Sequence, residues 1–150
     1  MKNLFEAATI AEVKARVSRL SATSERQWGT MDTAQAMAHL CGSMEWAVGD
    51  TVAPRMFLGR LMGAVVKPLV LKDDKPMKRN SPTVKTLVIT DEHDLAKEQA
   101  RLIVLLDRFG AGGAAGCTRN PHSFFGRMTP DEWAILMYKH VDHHLRQFNV

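Results

Sequence analysis

His140 and His144 stand four residues apart near the C-terminal end of the chain, in the string MYKHVDHHLRQF. A helix advances about 100° per residue, so positions i and i+4 lie only about 40° apart on its surface and the two rings sit side by side. On a helical wheel they share a face with Trp133, Leu136, Met137, Val141 and Phe148, while Lys139, Asp142 and Arg146 take the opposite face. Two imidazoles therefore fall within a stripe that packing should bury. An unpartnered polar group there costs on the order of 1–3 kcal/mol. A divalent cation removes that cost, because histidines at this spacing converge on one ion at about 2.1 Å. A hydrogen-bonded core cluster is the competing solution.

Two ligands from one helix rarely hold an ion, so a third must come from elsewhere. His39 is the best candidate. On its own helix it groups with Gln35, Gly42, Ser43 and Trp46, away from the apolar stripe of Met37, Leu40, Cys41, Met44 and Val48. The small residues Gly42 and Ser43 leave room beside the ring for a pocket, an ion or a close helix contact. Three neutral imidazoles leave a divalent ion with open coordination positions, the pattern of a catalytic site. Imidazole suits zinc and nickel first here, then iron, and spacing does not choose among them. Ser43, Trp46, His143 and Gln147 are placed to orient the ligands or line a pocket. Trp133 and Phe124 or Phe125 either wall that pocket or belong to the core. The residue after His140 is Val141, so the HExxH arrangement with its built-in glutamate base is absent. Cys41 reads as a core thiol, and His93 and His122 as ordinary exposed residues.

These side chains need helices to position them, and the sequence supplies the signals. A first helix starts near Thr9, with Glu12 at capping-box spacing and a stripe of Ile10, Val13, Val17 and Leu20. Residues 21–30 break the pattern. Asp32, with Gln35 three residues on, caps a second helix that runs to about Val48 and stops at Gly49. Pro54 to Val70 reads as one irregular helix ending before Pro68. Residues 71–89 contain Pro76 and Pro82 and read as an extended loop. A further helix begins at Thr90 or Asp91, buries Leu95, Leu102, Leu105, Leu106 and Phe109, and ends at Gly110, ahead of a flexible GAGGAAG segment. Thr129, Pro130 and Glu132 form the clearest start signal, for a last helix reaching almost to Val150. Four long helices and one short one, with no alternating strand pattern, specify an all-α bundle.

The chain has 150 residues, enough for one domain, and is 45% hydrophobic and 24% charged, an ordinary globular balance. No run approaches the ~18 apolar residues of a membrane span. Glu6 and Glu12 interrupt the N-terminal segment where a secretion signal needs an apolar core, so a cytoplasmic location is expected. The two cysteines, Cys41 and Cys117, are expected to be free thiols. The net charge is +4 and concentrates between Lys67 and Lys85. That stretch lacks the interleaved aromatics of a nucleic-acid groove and reads as a solvated loop.

The string HVDHHLRQF resembles the HxxHHRxQ ending of the DinB/YfiT-like superfamily, bacterial four-helix bundles with a three-histidine metal site. The resemblance implies that His140 and His144 bind the metal with His39 from the second helix, the set that the wheel argument reaches. WGTMDTAQAMAHL, the NSP at Asn80 to Pro82, PHSFFGRMTPDEW and MYKHVDHHLRQF extend the likeness to most of the chain, within a branch that has no assigned function. The motif's arginine is displaced by one: Leu145 takes its place and Arg146 moves to the outer face. Implied by the resemblance are a DinB/YfiT-type bundle with an extra short helix and a long loop, a possible homodimer, and a metal-dependent chemistry on a small molecule. In the wider family that chemistry is thiol-dependent transfer or isomerisation with a low-molecular-weight thiol, and a hydrolase using bound water is the related option. Two rival readings remain: a non-catalytic, metal-stabilised bundle that binds a small ligand or partner, helped by nine methionines, and a bundle that dimerises through the His39 face.

Overall fold

The computed structural model describes residues 1–150. It contains five α-helices and no strands: α1 (Ala7–Val17), α2 (Thr33–Val48), α3 (Phe57–Leu71), α4 (Leu95–Gly116) and α5 (Pro130–Gln147), with a 3-10 turn at Lys85–Leu87 before α4. The helices α2 and α4 pack most extensively, α1 and α5 complete the core, and α3 touches only α5. Met37, Leu40, Cys41 and Met44 of α2 meet Leu102, Leu106 and Phe109 of α4 and Trp133, Met137 and Val141 of α5 in one apolar cluster. No helix is long and apolar enough to cross a membrane.

The two capping boxes fix where α2 and α5 begin. The Asp32 carboxylate accepts from the Gln35 N–H at 2.8 Å and the Gln35 side chain accepts from the Asp32 N–H at 3.0 Å. Thr129 and Glu132 exchange the same pair of bonds, at 3.1 and 2.8 Å, with Pro130 in the first turn. Gly49 closes α2 in the left-handed conformation at φ 85°.

Several elements depart from the sequence reading. Helix α1 starts at Ala7 and not at Thr9, and its expected capping box does not form. The Thr9 hydroxyl instead donates to the Glu6 carboxylate at 2.9 Å. The entry is fixed by tertiary contact: Leu4 is fully buried and its N–H donates to the Ala134 carbonyl of α5. Helix α3 continues through Pro68 to Leu71. Proline there forfeits one internal bond, which an exposed helix flank can lose to water. Helix α4 starts at Leu95 behind an Asp94 cap and does not stop at Gly110. A side chain at Gly110 would collide with Ile10 of α1, so this glycine marks a close helix crossing and not an end. The helical break comes at Gly113, φ 51° and ψ −148°.

Helix α3 lies on two glycines. A Cβ at Gly59 would come within 2.5 Å of the Phe124 carbonyl oxygen, and one at Gly63 within 2.1 Å. Its outer face leaves Phe57, Leu58, Leu61, Met62, Val65 and Leu69 exposed. Alanine raises helix propensity over glycine by about 1 kcal/mol, but overpacking costs about 1–3 kcal/mol. Gly63→Ala should therefore lower the urea midpoint. Gly112→Ala, where an added methyl meets nothing, should raise the midpoint through a stability gain of up to about 1 kcal/mol. A stabilised Gly63→Ala protein would show that α3 is not held on its glycine face.

Candidate metal centre

The two helices with capping boxes, α2 and α5, carry the three histidines. His39 Nε2 lies 3.0 Å from His140 Nε2. Ring centroids are 4.8 Å apart for His39 and His144 and 5.1 Å apart for His140 and His144. One ring nitrogen from each of the three lies within 4.8 Å of those of the other two, so the group could hold a metal ion. Two nitrogens bound to one tetrahedral ion at about 2.1 Å stand about 3.4 Å apart, close to the His39–His140 separation.

The donor set also fits an ion in its hydrogen bonding. His39 Nδ1 is 2.8 Å from the Leu87 carbonyl, which can only accept, so this nitrogen carries the proton and Nε2 keeps its lone pair. His144 Nδ1 is 2.8 Å from Gln147 Oε1, with the same consequence. The Gln147 amide is itself fixed, because its Nε2 donates to the Trp28 carbonyl at 2.7 Å. Such outer bonds orient metal-binding imidazoles. No carboxylate reaches the cluster, and burial keeps the rings neutral. Burial lowers His39, partly offset by its Leu87 bond. Burial and the neighbouring imidazoles hold His140 well below its ordinary value and take His144 to about 3. Neutral rings are the metal-ready form.

The three rings line one cavity of about 450 Å³, within the range of small-molecule sites. Ser43, Trp46, His143 and Gln147 line it too, as do Phe124 and Phe125; Trp133 does not. Ser43 contributes no polar group to the rings, since its hydroxyl donates to the Leu40 carbonyl. His143 packs against Trp28, centroids 5.4 Å apart, and edge-on to His144. The space beside Gly42 is filled by Leu87, so that glycine serves the close approach of the 3-10 turn. His39 faces inward and is buried. Arg146 pairs with Asp142 at 2.6 Å, away from the rings.

Both cysteines are free and buried. Burial pushes the Cys41 thiol up to about 12 and Cys117 to about 11. His93 is bracketed by Asp91 and Glu98. His122 is not the exposed loop residue that its sequence context suggests. Its ring is largely enclosed, lines the cavity, and packs against Phe125 and Trp133. Only its place in the aromatic string PHSFF hinted at this.

Five helices around a cavity with three converged imidazoles define a helical protein with a candidate three-histidine metal centre. The chain belongs to the family described as "Protein of unknown function (DUF1569)", whose model matches residues 3–150. The searches of curated proteins and of solved structures find no match.

Folding of the metal-free protein should weaken in acid. The three rings are neutral when folded but take up protons near about pH 6.5 when unfolded. The unfolded state then binds more protons, so stability falls as pH drops below about 6.5, and for His144 the loss continues to about 3. Each such ring contributes up to about 1.4 kcal/mol per pH unit. Urea midpoints measured with chelator at about pH 7.5 and about pH 5.5 should differ, and the difference should shrink in His144→Gln. Equal midpoints would mean that the rings are already protonated in the fold.

Proposed function

We propose that this chain is a metal-dependent enzyme of the DinB/YfiT type, acting on a small molecule at a divalent ion held by His39, His140 and His144. The supporting observation is the convergence of three neutral imidazoles in a cavity wall, two of them with Nδ1 committed to oxygen acceptors. Helices α1, α2, α4 and α5 form the four-helix bundle in this reading, α3 is the extra helix, and residues 72–94 are the long loop. Zinc or nickel is the expected ion, with iron next. When bound, it supplies Lewis acidity that lowers the pKa of a thiol or a water.

The chain's own groups hold and shape the site. The Leu87 carbonyl orients His39, and Gln147 orients His144. Trp46, Phe124 and Phe125 line the cavity with apolar surface that limits water. Neither cysteine serves as the nucleophile of a transfer reaction, because both are buried with thiols held protonated. A thiol-dependent transferase on this scaffold therefore takes a low-molecular-weight thiol from solution; a hydrolase uses water.

Protein purified without an affinity tag should carry about one divalent ion per chain by elemental analysis. His144→Ala should lose the ion and also abolish turnover of an electrophile with added thiol, or of an ester, while its helical circular dichroism persists. A metal-edge X-ray absorption spectrum would identify the element and its ligand count. Absence of metal from both proteins would overturn the reading.

One observation supports a partner-binding role, which the non-catalytic alternative, a metal-stabilised bundle, shares with the enzyme. Phe57, Leu61, Val65 and Leu69 recur every fourth residue on the exposed face of α3. Such a ridge packs against the same ridge of a second helix, which makes a homodimer the natural occupant. Leu61→Lys should then shift the sedimenting mass from dimer to monomer. A monomeric wild type would remove the dimer.

A further inference from the structure

The cavity is lined by two further histidines that the imidazole cluster does not use, His143 and the half-buried His122. His122 opens a tight turn closed by paired backbone bonds with Gly126, 2.8 and 3.2 Å long. Its Nδ1 accepts from the N–H groups of Phe124, at 3.1 Å, and Phe125, at 3.2 Å. An accepting Nδ1 places the proton on Nε2. Phe125 stacks on the ring at 5.0 Å and Trp133 meets it at 5.3 Å and 66°, so the imidazole is held in one orientation. Nε2 has no partner within the protein, and the ring lines the cavity.

The surroundings favour an anion. The Arg55 guanidinium donates to the backbone carbonyls of His122 and Ser123 and forms no salt bridge with a carboxylate. Its charge, together with burial, takes the His122 imidazole down to about 4, burial being the larger cause. The ring is thus an uncharged donor backed by a fixed positive charge. Trp133, which supports it, lies two turns from His140 on α5, about 10 Å along the axis. Leu136 and Met137 line the cavity over the intervening turns. The cavity wall thus carries the three-histidine cluster, the apolar side chains of Leu136 and Met137, and the His122 ring.

We propose that His122 anchors the far end of the substrate, its Nε2–H donating to a carboxylate on an elongated small molecule whose reacting group lies at the three-histidine site. This rests on the metal-centre reading and adds a substrate class to it: acids with an apolar middle about two helical turns long. His122 is a positioning residue and takes no part in the chemistry.

Two hydroxamates of equal length test it on the zinc-loaded protein by calorimetry. Octanohydroxamate offers only the zinc-binding group; the monohydroxamate of octanedioic acid adds a distal carboxylate. The carboxylate form should bind about tenfold tighter, the worth of one charge-assisted hydrogen bond. In His122→Asn, the amide oxygen can still accept from the turn, but the Nε2–H is gone. The preference should vanish while octanohydroxamate binds as before. Equal affinities in the wild type, or a preference that survives in His122→Asn, would overturn this proposal alone. Failure of both hydroxamates to bind would overturn the metal-centre reading, and this one with it.

Discussion

Three uncharged imidazoles share one cavity wall, and the fold is organised around keeping them there uncharged. Neutral histidine needs a donor partner or an acceptor partner at each nitrogen, and burial makes a missing one costly. Distant segments supply these partners. The 3-10 turn at Lys85–Leu87 brings the Leu87 carbonyl to His39, and the segment before α2 brings the Trp28 carbonyl to Gln147 and so steadies His144. Both long connections are therefore clamped onto the site, which explains why Val84 and Leu87 are buried inside a segment of otherwise polar sequence. His39 Nε2 and His140 Nε2 stand 3.0 Å apart, and either a proton on His140 Nε2 or a shared cation satisfies both.

Much of this was legible from side-chain periodicity. The i, i+4 pair on α5 and the single histidine on α2 follow from angular spacing alone, because both helices are regular and strongly capped. Asp32–Gln35 and Thr129–Glu132 are local signals, so they survive folding intact. Signals that depend on the rest of the molecule were misread. Thr9 and Glu12 have the same spacing as a capping box, yet Leu4 docking against α5 starts α1 earlier. Gly110 looks like a stop, but its missing side chain admits Ile10. His122 looked exposed because nothing near it in sequence says that α3 will lie over its turn. That contact depends on Gly59 and Gly63, whose purpose appears only when Phe124 is in place.

The back of α5 carries a similar lesson. Lys139, Asp142 and Arg146 take the face of α5 opposite the histidines, yet Lys139 and Asp142 are buried. Arg16 of α1 donates to Asp142 at 2.7 Å and also to the Val150 carbonyl at 2.9 Å. Arg146 takes the second Asp142 oxygen, and the Lys139 ammonium donates to the Asp73 carbonyl at 2.7 Å. A carboxylate enclosed between two guanidiniums is a directional clamp, and removing one partner from such a buried group costs far more than an exposed pair returns.

That clamp bears directly on the site. Apolar packing is non-directional, so a stripe of Leu136, Met137 and Val141 tolerates small rotations of its helix. Imidazoles on one ion do not: their nitrogens must stay near about 2.1 Å from a common point. A rotation of about 20° would carry a ring nitrogen roughly 6 Å from the helix axis through about 2 Å, enough to lose a ligand. The bonds on the opposite face, Arg16 to Asp142 and Lys139 to Asp73, fix the rotation that the apolar face leaves loose. Helix α5 is thus polar on both sides, with buried charges on one holding the angle of the histidines on the other.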